Sequence, residues 1–269
     1  MQRETVERVI GRMDVAMSGM TRPVIATDAD GTLWSGDVGV DAFEALLQER
    51  GVREEARQAL AKEAEQAGLE TSGDGTDLAA RIYAAFNRGA FDEERCYMLM
   101  AWAFAGWTPD EVRSFSTRIQ EQRGLAKRLH PEMQTVVRWA QKRGVELWVI
   151  SASPRFVVQA GAARFGIRPE RVVATSAAVR DGRVAPGLAE PMPYGPGKVA
   201  AIERVVGPSR LIAAFGDDVF DLEMLLSADV PVAVRPKDRL RHRAEGEPTL
   251  VELQAEEAER GCSVWPAAR

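Results

Sequence analysis

Two carboxylates follow a short apolar run near the start of the chain, and their spacing could support chemistry at phosphorus. Asp28 and Asp30 come after the run 23–26 and are followed in turn by Gly31 and Thr32. The run predicts a buried strand, and the carboxyl end of such a strand is where open α/β sheets bind ligands. Beside a divalent cation, an ionised Asp28 could attack phosphorus while Asp30 exchanges a proton with the leaving oxygen. An acidic turn after a strand is the simpler alternative for this segment alone.

A second predicted strand, residues 146–150, ends in small hydroxyl residues and leads directly into a predicted helix. A serine hydroxyl and the N–H groups at a helix start can bind phosphate oxygens, although serines ahead of a helix are usually simple caps. The strand-end position favours Ser151 as a phosphate ligand, because Ala152 after it still has an N–H to donate. Ser153 precedes Pro154, which has none. Both serines and Ala152 are candidates for phosphate binding.

A lysine and a group of acids occur in two later segments. Lys198 follows a turn-rich stretch at the start of a predicted helix, where a fixed ammonium could neutralise a phosphate and a nucleophile together. Its surroundings lack the glycine and hydroxyl pattern of a P-loop. Further on, the apolar run 211–215 and a glycine precede three acids, Asp217, Asp218 and Asp221. Mg²⁺ prefers oxygen ligands, and carboxylates from two strand ends can converge on one ion.

Taken in order, these four segments resemble the motifs of the haloacid dehalogenase superfamily, in particular its phosphoserine-phosphatase-like branch. The resemblance spans about residues 23–240 and rests on Asp-x-Asp-Gly-Thr at 28–32, a strand-end serine, a lone lysine and Gly-Asp-Asp-x-x-Asp at 216–221. It implies an α/β fold with a Rossmann-like parallel sheet core and an inserted helical cap. It also implies a Mg²⁺-dependent phosphoric monoester hydrolase that acts on a small phosphorylated metabolite.

The same resemblance implies a role for each matching residue. Asp28 would be the nucleophile that becomes an aspartyl-phosphate, Asp30 the general acid and base, and Lys198 the catalytic cation. Thr32 would help to position the phosphate. The implied metal set combines carboxylates with the main-chain carbonyl of the general acid: Asp28, Asp30, Asp217, Asp218 and Asp221. Asp217 would be the principal metal carboxylate, whereas the last acid of the set would orient either a metal-bound water or the catalytic lysine.

The chain departs from phosphoserine phosphatases at three places, which leaves the substrate open. Asp37 stands where they have a glutamate that meets the substrate amine, so it is a candidate substrate contact. Phe220 replaces an asparagine of their last motif. Ser-Pro-Arg-Phe at 153–156 replaces their Ser-Gly-Gly-Phe, and counting back from this phenylalanine favours Ser153 as the phosphate ligand.

Aromatic residues in the predicted cap suggest a second substrate class. An aromatic lining could bind a quaternary ammonium by cation–π contact, which makes a phosphocholine-type head group an alternative to phosphoserine. Their helical spacing indicates instead that most of them belong to the core of the cap. These residues are Tyr83, Phe86, Phe91, Tyr97, Trp102, Phe104, Trp107 and Phe115, with Trp34 beside the nucleophile.

Hydrophobic periodicity divides the chain into a sheet core and a helical insertion. Five apolar runs are predicted strands that alternate with helices, as in a parallel sheet: 23–26, 146–150, 171–174, 211–215 and 230–234. The predicted parts are a helical N-terminal extension at 1–22 packed on the sheet, a core at 23–36 and 128–245, a cap at 37–127 and a C-terminal tail at 246–269. The acidic stretch 245–259 predicts a solvated terminal helix.

Composition limits the expected partners. With 35 basic and 40 acidic residues among 269, the net charge of -5 offers no general attraction to nucleic acid. No apolar stretch approaches the length of a membrane span, so no membrane association is expected. Two cysteines, Cys96 and Cys262, suit a reducing compartment and predict a cytoplasmic location. The oligomeric state stays open.

The leading interpretation is therefore a Mg²⁺-dependent phosphatase that works through an aspartyl-phosphate. Two alternatives share the fold. One is a phosphotransferase, in which an acceptor other than water takes the phosphoryl group, and the other is a binding module that has lost turnover. The binding module is disfavoured because Asp28, Asp30, Lys198 and Asp217 are all present.

Overall fold

The structure is a computed structural model that describes residues 1–207 and 209–256. Its strands are β1 (Gln2–Glu4), β2 (Val24–Thr27), β3 (Glu146–Pro154), β4 (Val172–Thr175), β5 (Ala177–Arg180), β6 (Arg183–Leu188), β7 (Leu211–Gly216), β8 (Val230–Val234) and β9 (Val251–Leu253). Seven of these strands form one sheet in the order β1-β9-β8-β7-β2-β3-β4, and all neighbouring pairs are parallel. The predicted parallel sheet is thereby confirmed.

Helices cover the sheet and also fill the insertion between β2 and β3. They are α1 (Val6–Ala16), α2 (Val38–Gln48), α3 (Glu54–Gln66), α4 (Gly75–Asn87), α5 (Glu93–Trp102), α6 (Pro109–Gln122), α7 (Pro131–Arg143), α8 (Arg155–Ala162), α9 (Gly197–Val206), α10 (Leu222–Leu226) and α11 (Asp238–Arg243). The insertion carries α2 to α6, and no strand lies among them in this described stretch. Helix α6 begins with a capping box between Thr108 and Glu111, which satisfies main-chain donors at its start.

The central strand β2 lies between β7 and β3, and all four of its residues are buried. A strand covered on both faces needs a continuous apolar run, which is why 23–26 was recognisable in the sequence. Because the strands are parallel, the carboxyl ends of β2, β3, β7 and β8 meet at one edge of the sheet. The acids and serines singled out by the sequence lie at this edge.

Both chain ends add strands that the sequence analysis did not predict. The extension 1–22 contains the expected helix α1, whose buried Val9 and Met13 pack toward the sheet, but it also contributes β1. The prediction of a solvated helix at 245–259 is wrong, because β9 inserts between β1 and β8 with all its residues buried. Apolar burial of β9 and its pairing on both sides outweigh the acidic composition of the stretch. Residues 257–269 of the predicted tail lie outside the described residues.

An unpredicted antiparallel hairpin, β5–β6, joins the sheet to the cap. Its turn is Asp181-Gly182, with φ of 50° and 74°, which matches the left-handed pair of a tight hairpin turn. Val184 in β6 donates its N–H to the Trp107 carbonyl at 2.8 Å, and its own carbonyl accepts from Gly106 N at 2.8 Å. The hairpin therefore hydrogen-bonds to the segment between α5 and α6. The Asp-Gly pair between alternating residues was a usable sequence signal.

Candidate active site

Asp28 and Asp30 lie where β2 ends, and separate contacts orient each carboxylate. Asp28 N donates to the Phe215 carbonyl at 2.8 Å, which extends the pairing with β7 by one residue. Asp30 Oδ1 accepts from Trp34 Nε1 at 2.8 Å and from Val38 N at 2.7 Å. Burial raises the pKa of both carboxyls, that of Asp28 strongly. The predicted nucleophile and the predicted acid thus have different hydrogen-bond partners although they are only two residues apart.

Lys198 bridges two of the predicted site acids. Its Nζ lies 2.6 Å from Asp28 Oδ1 and 2.5 Å from Asp221 Oδ1, and the side chains of all three residues are less than a tenth exposed. Burial alone would lower the pKa of this lysine, but the carboxylates of Asp221 and Asp28 raise it above its ordinary value. The two carboxylates therefore favour the charged ammonium form of the lysine beside the predicted nucleophile.

Three buried carboxylates form a group suited to a divalent cation. One oxygen from each of Asp28, Asp217 and Asp221 lies within 4.8 Å of the others. Burial, followed by repulsion from Asp221, raises the pKa of Asp217 to about 6. Such crowding of buried acids beside a single lysine is relieved by a hard cation with oxygen ligands. The donor set therefore fits the Mg²⁺ that the sequence analysis predicted.

The acids of this group have unequal capacity for a metal. Both oxygens of Asp221 are engaged, since Oδ1 accepts from the lysine and Oδ2 accepts from Asp217 N at 3.0 Å and Asp218 N at 2.9 Å. This fits the prediction that Asp221 orients Lys198. Among the described side chains, Asp28 is contacted by Lys198, whereas Asp217 accepts from Thr32 through Oδ1 and lies 2.9 Å from Lys237 Nζ through Oδ2. Both acids carry fewer contacts than Asp221.

Asp218 and Asp30 stand apart from this carboxylate group among the residues that the structure describes. Asp218 Oδ2 lies 2.8 Å from Lys237 Nζ, and its Oδ1 lies 2.5 Å from Arg239 Nε. Burial would raise the pKa of Asp218, but hydrogen bonds from Arg239 and Lys237 lower it. The metal role predicted for Asp218 does not match this arrangement, because both of its oxygens are paired with cations.

The two candidate serines make different contacts. Ser153 Oγ donates to Asp30 Oδ2 at 2.7 Å. Ser151 Oγ accepts from Ser153 N at 3.1 Å, and in the described part of the chain its own proton has no acceptor. Both line the same cavity as Ala152. Ser151 thus has a hydroxyl donor available, whereas the hydroxyl of Ser153 is occupied by the predicted acid.

Thr32 and Asp37, the other two predicted substrate contacts, differ in their access to the cavity. Thr32 is fully buried outside the cavity lining, and its Oγ1 donates to Asp217 Oδ1 at 3.4 Å. Its hydroxyl can orient Asp217, but Thr32 does not line the cavity, which does not match the predicted phosphate contact. Asp37 lines the cavity and caps α2 by accepting from Val40 N at 2.8 Å. Burial and the nearby Asp30 raise the pKa of Asp37 to about 7.

The cavity above the predicted nucleophile takes in about 460 Å³ of space not filled by protein atoms, part of which is open solvent. Four lining residues were not proposed as site residues from the sequence: Tyr194, Phe220, Lys237 and Arg239. Lys237 and Arg239 follow β8, the fourth strand to end at this edge of the sheet. Their position after a predicted strand was a signal that the sequence analysis could have used.

Most of the cap aromatics lie in the core of the cap. Tyr97 alone of the eight cap residues, all of them within the described chain, lines the cavity. Phe104, Trp107 and Phe115 pack edge to face with ring centroids 5.4–5.8 Å apart. Trp34 is fully buried, and Gly161 packs so closely against its ring that a Cβ at Gly161 would stand 2.8 Å from Trp34 Cη2. The cavity therefore lacks the cage of cap aromatics on which the phosphocholine alternative depended.

The fold and these motifs define a hydrolase family. The chain belongs to the haloacid dehalogenase-like hydrolases, whose family profile matches residues 25–226. This confirms the resemblance inferred from the motifs, the α/β fold class and the prediction of an enzyme. No curated protein sequence matches the chain at a significant level. Among the described residues, no helix has the length and apolar character needed to cross a membrane.

Solved structures share the fold at low sequence identity. A protein of unknown function from Bordetella pertussis Tohama I is 22% identical with a TM-score of 0.66, over 87% of this chain and 99% of that one. A conserved protein of unknown function from Anaerococcus prevotii DSM 20548 is 15% identical with a TM-score of 0.66, over 91% of each chain. A substrate-bound phosphoserine phosphatase is 16% identical with a TM-score of 0.50, over 86% of this chain and 93% of that one.

Proposed function

We propose that the protein is a Mg²⁺-dependent phosphatase that hydrolyses a small phosphomonoester through an aspartyl-phosphate on Asp28. The observation that carries this proposal is the buried contact of Asp28 with Lys198 in a cavity that also presents Asp30 and Ser151. A nucleophile, a charge-neutralising cation, an acid and an anion-binding hydroxyl face one small space. These are the parts that phosphoryl transfer requires.

In the first step, a carboxylate oxygen of Asp28 bonds to phosphorus while the ester P–O bond breaks. Asp30 donates a proton to the leaving oxygen, and its burial favours this role because burial raises its pKa and so the population of the protonated form. The contacts from Trp34 Nε1 and Val38 N hold the carboxyl of Asp30 in one orientation. Lys198 balances the charge that gathers on phosphorus and on Asp28.

In the second step, Asp30 is ionised and takes a proton from a water molecule as the water oxygen bonds to phosphorus. The acyl-phosphate bond to Asp28 breaks, inorganic phosphate leaves and both aspartates return to their initial states. Asp28 and Asp217 would hold Mg²⁺, with Asp221 beside them. The ion would supply positive charge for the phosphate oxygens and favour the ionised form of the buried nucleophile.

The substrate is a small phosphorylated metabolite under this proposal. Phosphoserine is one candidate, supported by the shared fold of phosphoserine phosphatases and by Asp37 in the cavity wall. A phosphocholine-type ester has less support, because only Tyr97 of the cap aromatics reaches the cavity. A cytoplasmic location and the absence of a nucleic-acid partner stay predictions from composition.

The first test is phosphate release from a panel of small phosphomonoesters, with Mg²⁺ or with EDTA. We expect turnover only with Mg²⁺ and a loss of at least about a thousandfold in kcat for Asp28→Asn, because the covalent route is then closed. Asp110→Asn is a matched control, since Asp110 is exposed at the start of α6, far along the chain from the site motifs. Undiminished turnover by the folded Asp28→Asn variant would refute the proposed nucleophile.

A phosphotransferase predicts a different result in the same assay. Phosphate release would stay slow throughout, whereas consumption of the substrate ester would rise on adding an alcohol acceptor, with a new phosphate ester as product in place of inorganic phosphate. A binding module predicts saturable binding of an ester without release of phosphate by either route.

A further inference from the structure

Two cations in the cavity wall have no role in the proposed mechanism. Lys237 follows β8 and Arg239 lies in α11, and both line the cavity that contains Asp28. We propose that Lys237 and Arg239 form a subsite for a carboxylate carried by the leaving group of the substrate. This inference rests on the proposed phosphatase function and adds the residues that would select its substrate.

The first step of the argument is that the three cavity cations differ in availability. The side chain of Lys198 is 5% exposed and is fully engaged with Asp28 and Asp221. The side chains of Lys237 and Arg239 are 53% and 44% exposed. Lys198 therefore serves the nucleophile, whereas the other two can meet a ligand in the open part of the cavity.

The second step is that the guanidinium of Arg239 is held in a fixed plane with donors to spare. It stacks on the ring of Phe220, with 4.4 Å from Cζ to the ring centroid. Its Nε and Nη2 form a bidentate contact with Asp218, and Nη2 also lies 3.8 Å from Glu93 Oε1. Its Nη1 has no hydrogen-bond acceptor among the residues that the structure describes. A planar fork with free donors matches the two oxygens of a carboxylate.

The third step is that the subsite is preorganised by its neighbours. Asp218 contacts both cations, with 2.8 Å to Lys237 Nζ and 2.6 Å to Arg239 Nη2. Lys237 Nζ also lies 2.9 Å from Asp217 Oδ2, which leaves one of its three N–H donors for a ligand. Phe220, under the guanidinium, packs in turn on Tyr194 with ring centroids 4.2 Å apart. Side chains already held in place lose less conformational freedom when a ligand binds. Phosphoserine phosphatases have an asparagine where this chain has Phe220. The phenylalanine ring gives the Arg239 guanidinium a surface on which to stack.

The same arrangement disfavours a cationic leaving group. A quaternary ammonium needs an open aromatic face, but Arg239 already covers one face of Phe220. The subsite therefore favours an anionic group over the choline head group considered from the sequence.

The test compares esters that differ by one carboxylate. Phosphoserine against phosphoethanolamine changes only this group on an amine-bearing ester, and phosphoglycerate against glycerol phosphate does so on an ester without an amine. We expect kcat/KM to be about tenfold to a hundredfold higher for the carboxylate member of at least one pair, the range for a charged hydrogen-bonded contact. The pair that shows the preference identifies whether an amine accompanies the carboxylate.

Variants then locate the preference. Arg239→Leu should reduce it to about twofold or less, Lys237→Gln should weaken it, and Arg239→Lys should give an intermediate ratio because the charge stays but the fork is lost. Arg243→Leu is the matched control, since Arg243 is exposed on the same helix outside the cavity lining, and its ratio should equal that of the natural protein. Urea unfolding of each variant checks that the fold is retained.

The outcomes separate this inference from the proposed function. Turnover with equal kcat/KM within both pairs, or a preference that Arg239→Leu leaves unchanged, overturns the subsite and leaves the phosphatase in place. If no ester is hydrolysed, the proposed function fails, and calorimetric binding of the same pairs to the Asp28→Asn chain with Mg²⁺ decides the subsite. Tighter binding of the carboxylate ester that is lost in a double variant with Arg239→Leu supports it, and equal binding overturns it.

Discussion

Ser153 Oγ donates to Asp30 Oδ2 over 2.7 Å, which links the end of β3 to the proposed general acid in the loop after β2. Ser151, two residues earlier on the same strand, accepts from Ser153 N and keeps its own proton free of any acceptor in the described chain. Neighbouring hydroxyls with the same chemistry are thus engaged differently. We infer that Ser151 binds the phosphate and that Ser153 positions the acid.

This assignment predicts opposite kinetic effects for two alanine variants. Ser151→Ala should raise KM about tenfold for every ester, because it removes one hydrogen bond to the phosphate. Ser153→Ala should lower kcat about tenfold for alkyl phosphates but much less for p-nitrophenyl phosphate, whose leaving group scarcely needs a proton. Steady-state kinetics on both ester types provides the measurement. Identical effects of both variants on both esters would contradict separate roles.

Lys198 is predicted to stabilise the fold as well as the reaction. Lys198→Met leaves the buried carboxylates of Asp28 and Asp221 without their cation, which should lower the free energy of unfolding by about 3–5 kcal/mol in EDTA and abolish turnover. Adding Asp28→Asn to Lys198→Met removes one of the unpaired charges and should recover roughly 1–3 kcal/mol. Urea unfolding of the two single variants and the double variant gives the coupling. If the losses of unfolding free energy in the two single variants simply add in the double variant, Lys198 and Asp28 are not coupled.

Gly31 is predicted to be essential because it lies against the metal carboxylate. Its φ is +80°, and a Cβ there would stand 2.2 Å from Asp217 Oδ2. Gly31→Ala should displace Asp217 and so raise the Mg²⁺ concentration for half-maximal activity by about tenfold or more. The substitution should also cost about 1 kcal/mol of stability through backbone strain.

Gly89→Ala separates strain from displacement. Gly89 has a similar φ of +71°, but a Cβ there would meet nothing within 4 Å. This variant should lose about 1 kcal/mol of stability and keep the Mg²⁺ concentration for half-maximal activity. An equal shift of that concentration in both variants would show that contact with Asp217 is not the cause.

Glu146 is predicted to contribute stability that depends on pH. Its hydrogen bonds with Arg22, at 2.7 and 3.0 Å, and the contact with Arg171 lower its pKa from 4.5 to about 2. A carboxyl with a lowered folded-state pKa stabilises the fold above its unfolded value and loses that contribution as pH falls through about 4.5 toward 2. Because its partners are partly exposed, Glu146→Gln should cost only about 1 kcal/mol near neutral pH.

The measurement is the difference in unfolding free energy between the natural chain and Glu146→Gln at a series of pH values. That difference should shrink steadily across the acid window defined by the lowered pKa. Glu190→Gln offers a comparison at a surface ion pair with Arg204, for which we expect a smaller difference at neutral pH. A difference for Glu146→Gln that stays constant down to the acid end would contradict the ionic origin.

Local signals explain which parts of the fold were predictable. Central strands such as β2 and β7 are buried on both faces, so their continuous apolar runs stand out in the sequence. Strand β9 has only three residues in an acidic stretch, and its stability comes from pairing with β1 on one side and β8 on the other. No pattern within such a short segment indicates partners that are distant in sequence.

The sequence by itself determined the family and the order along the chain of the segments that carry the motifs, and it predicted the central acids and lysine, because each lies in a compact motif near a predicted strand end or helix start. Only the tertiary structure decided how neighbouring groups of the same type divide their contacts. It separates Asp217 from Asp218 and Ser151 from Ser153, and it brings Arg239 into the cavity. Hydrogen bonds across adjacent strand ends select these partners, and the sheet brings those ends together from segments far apart in the chain.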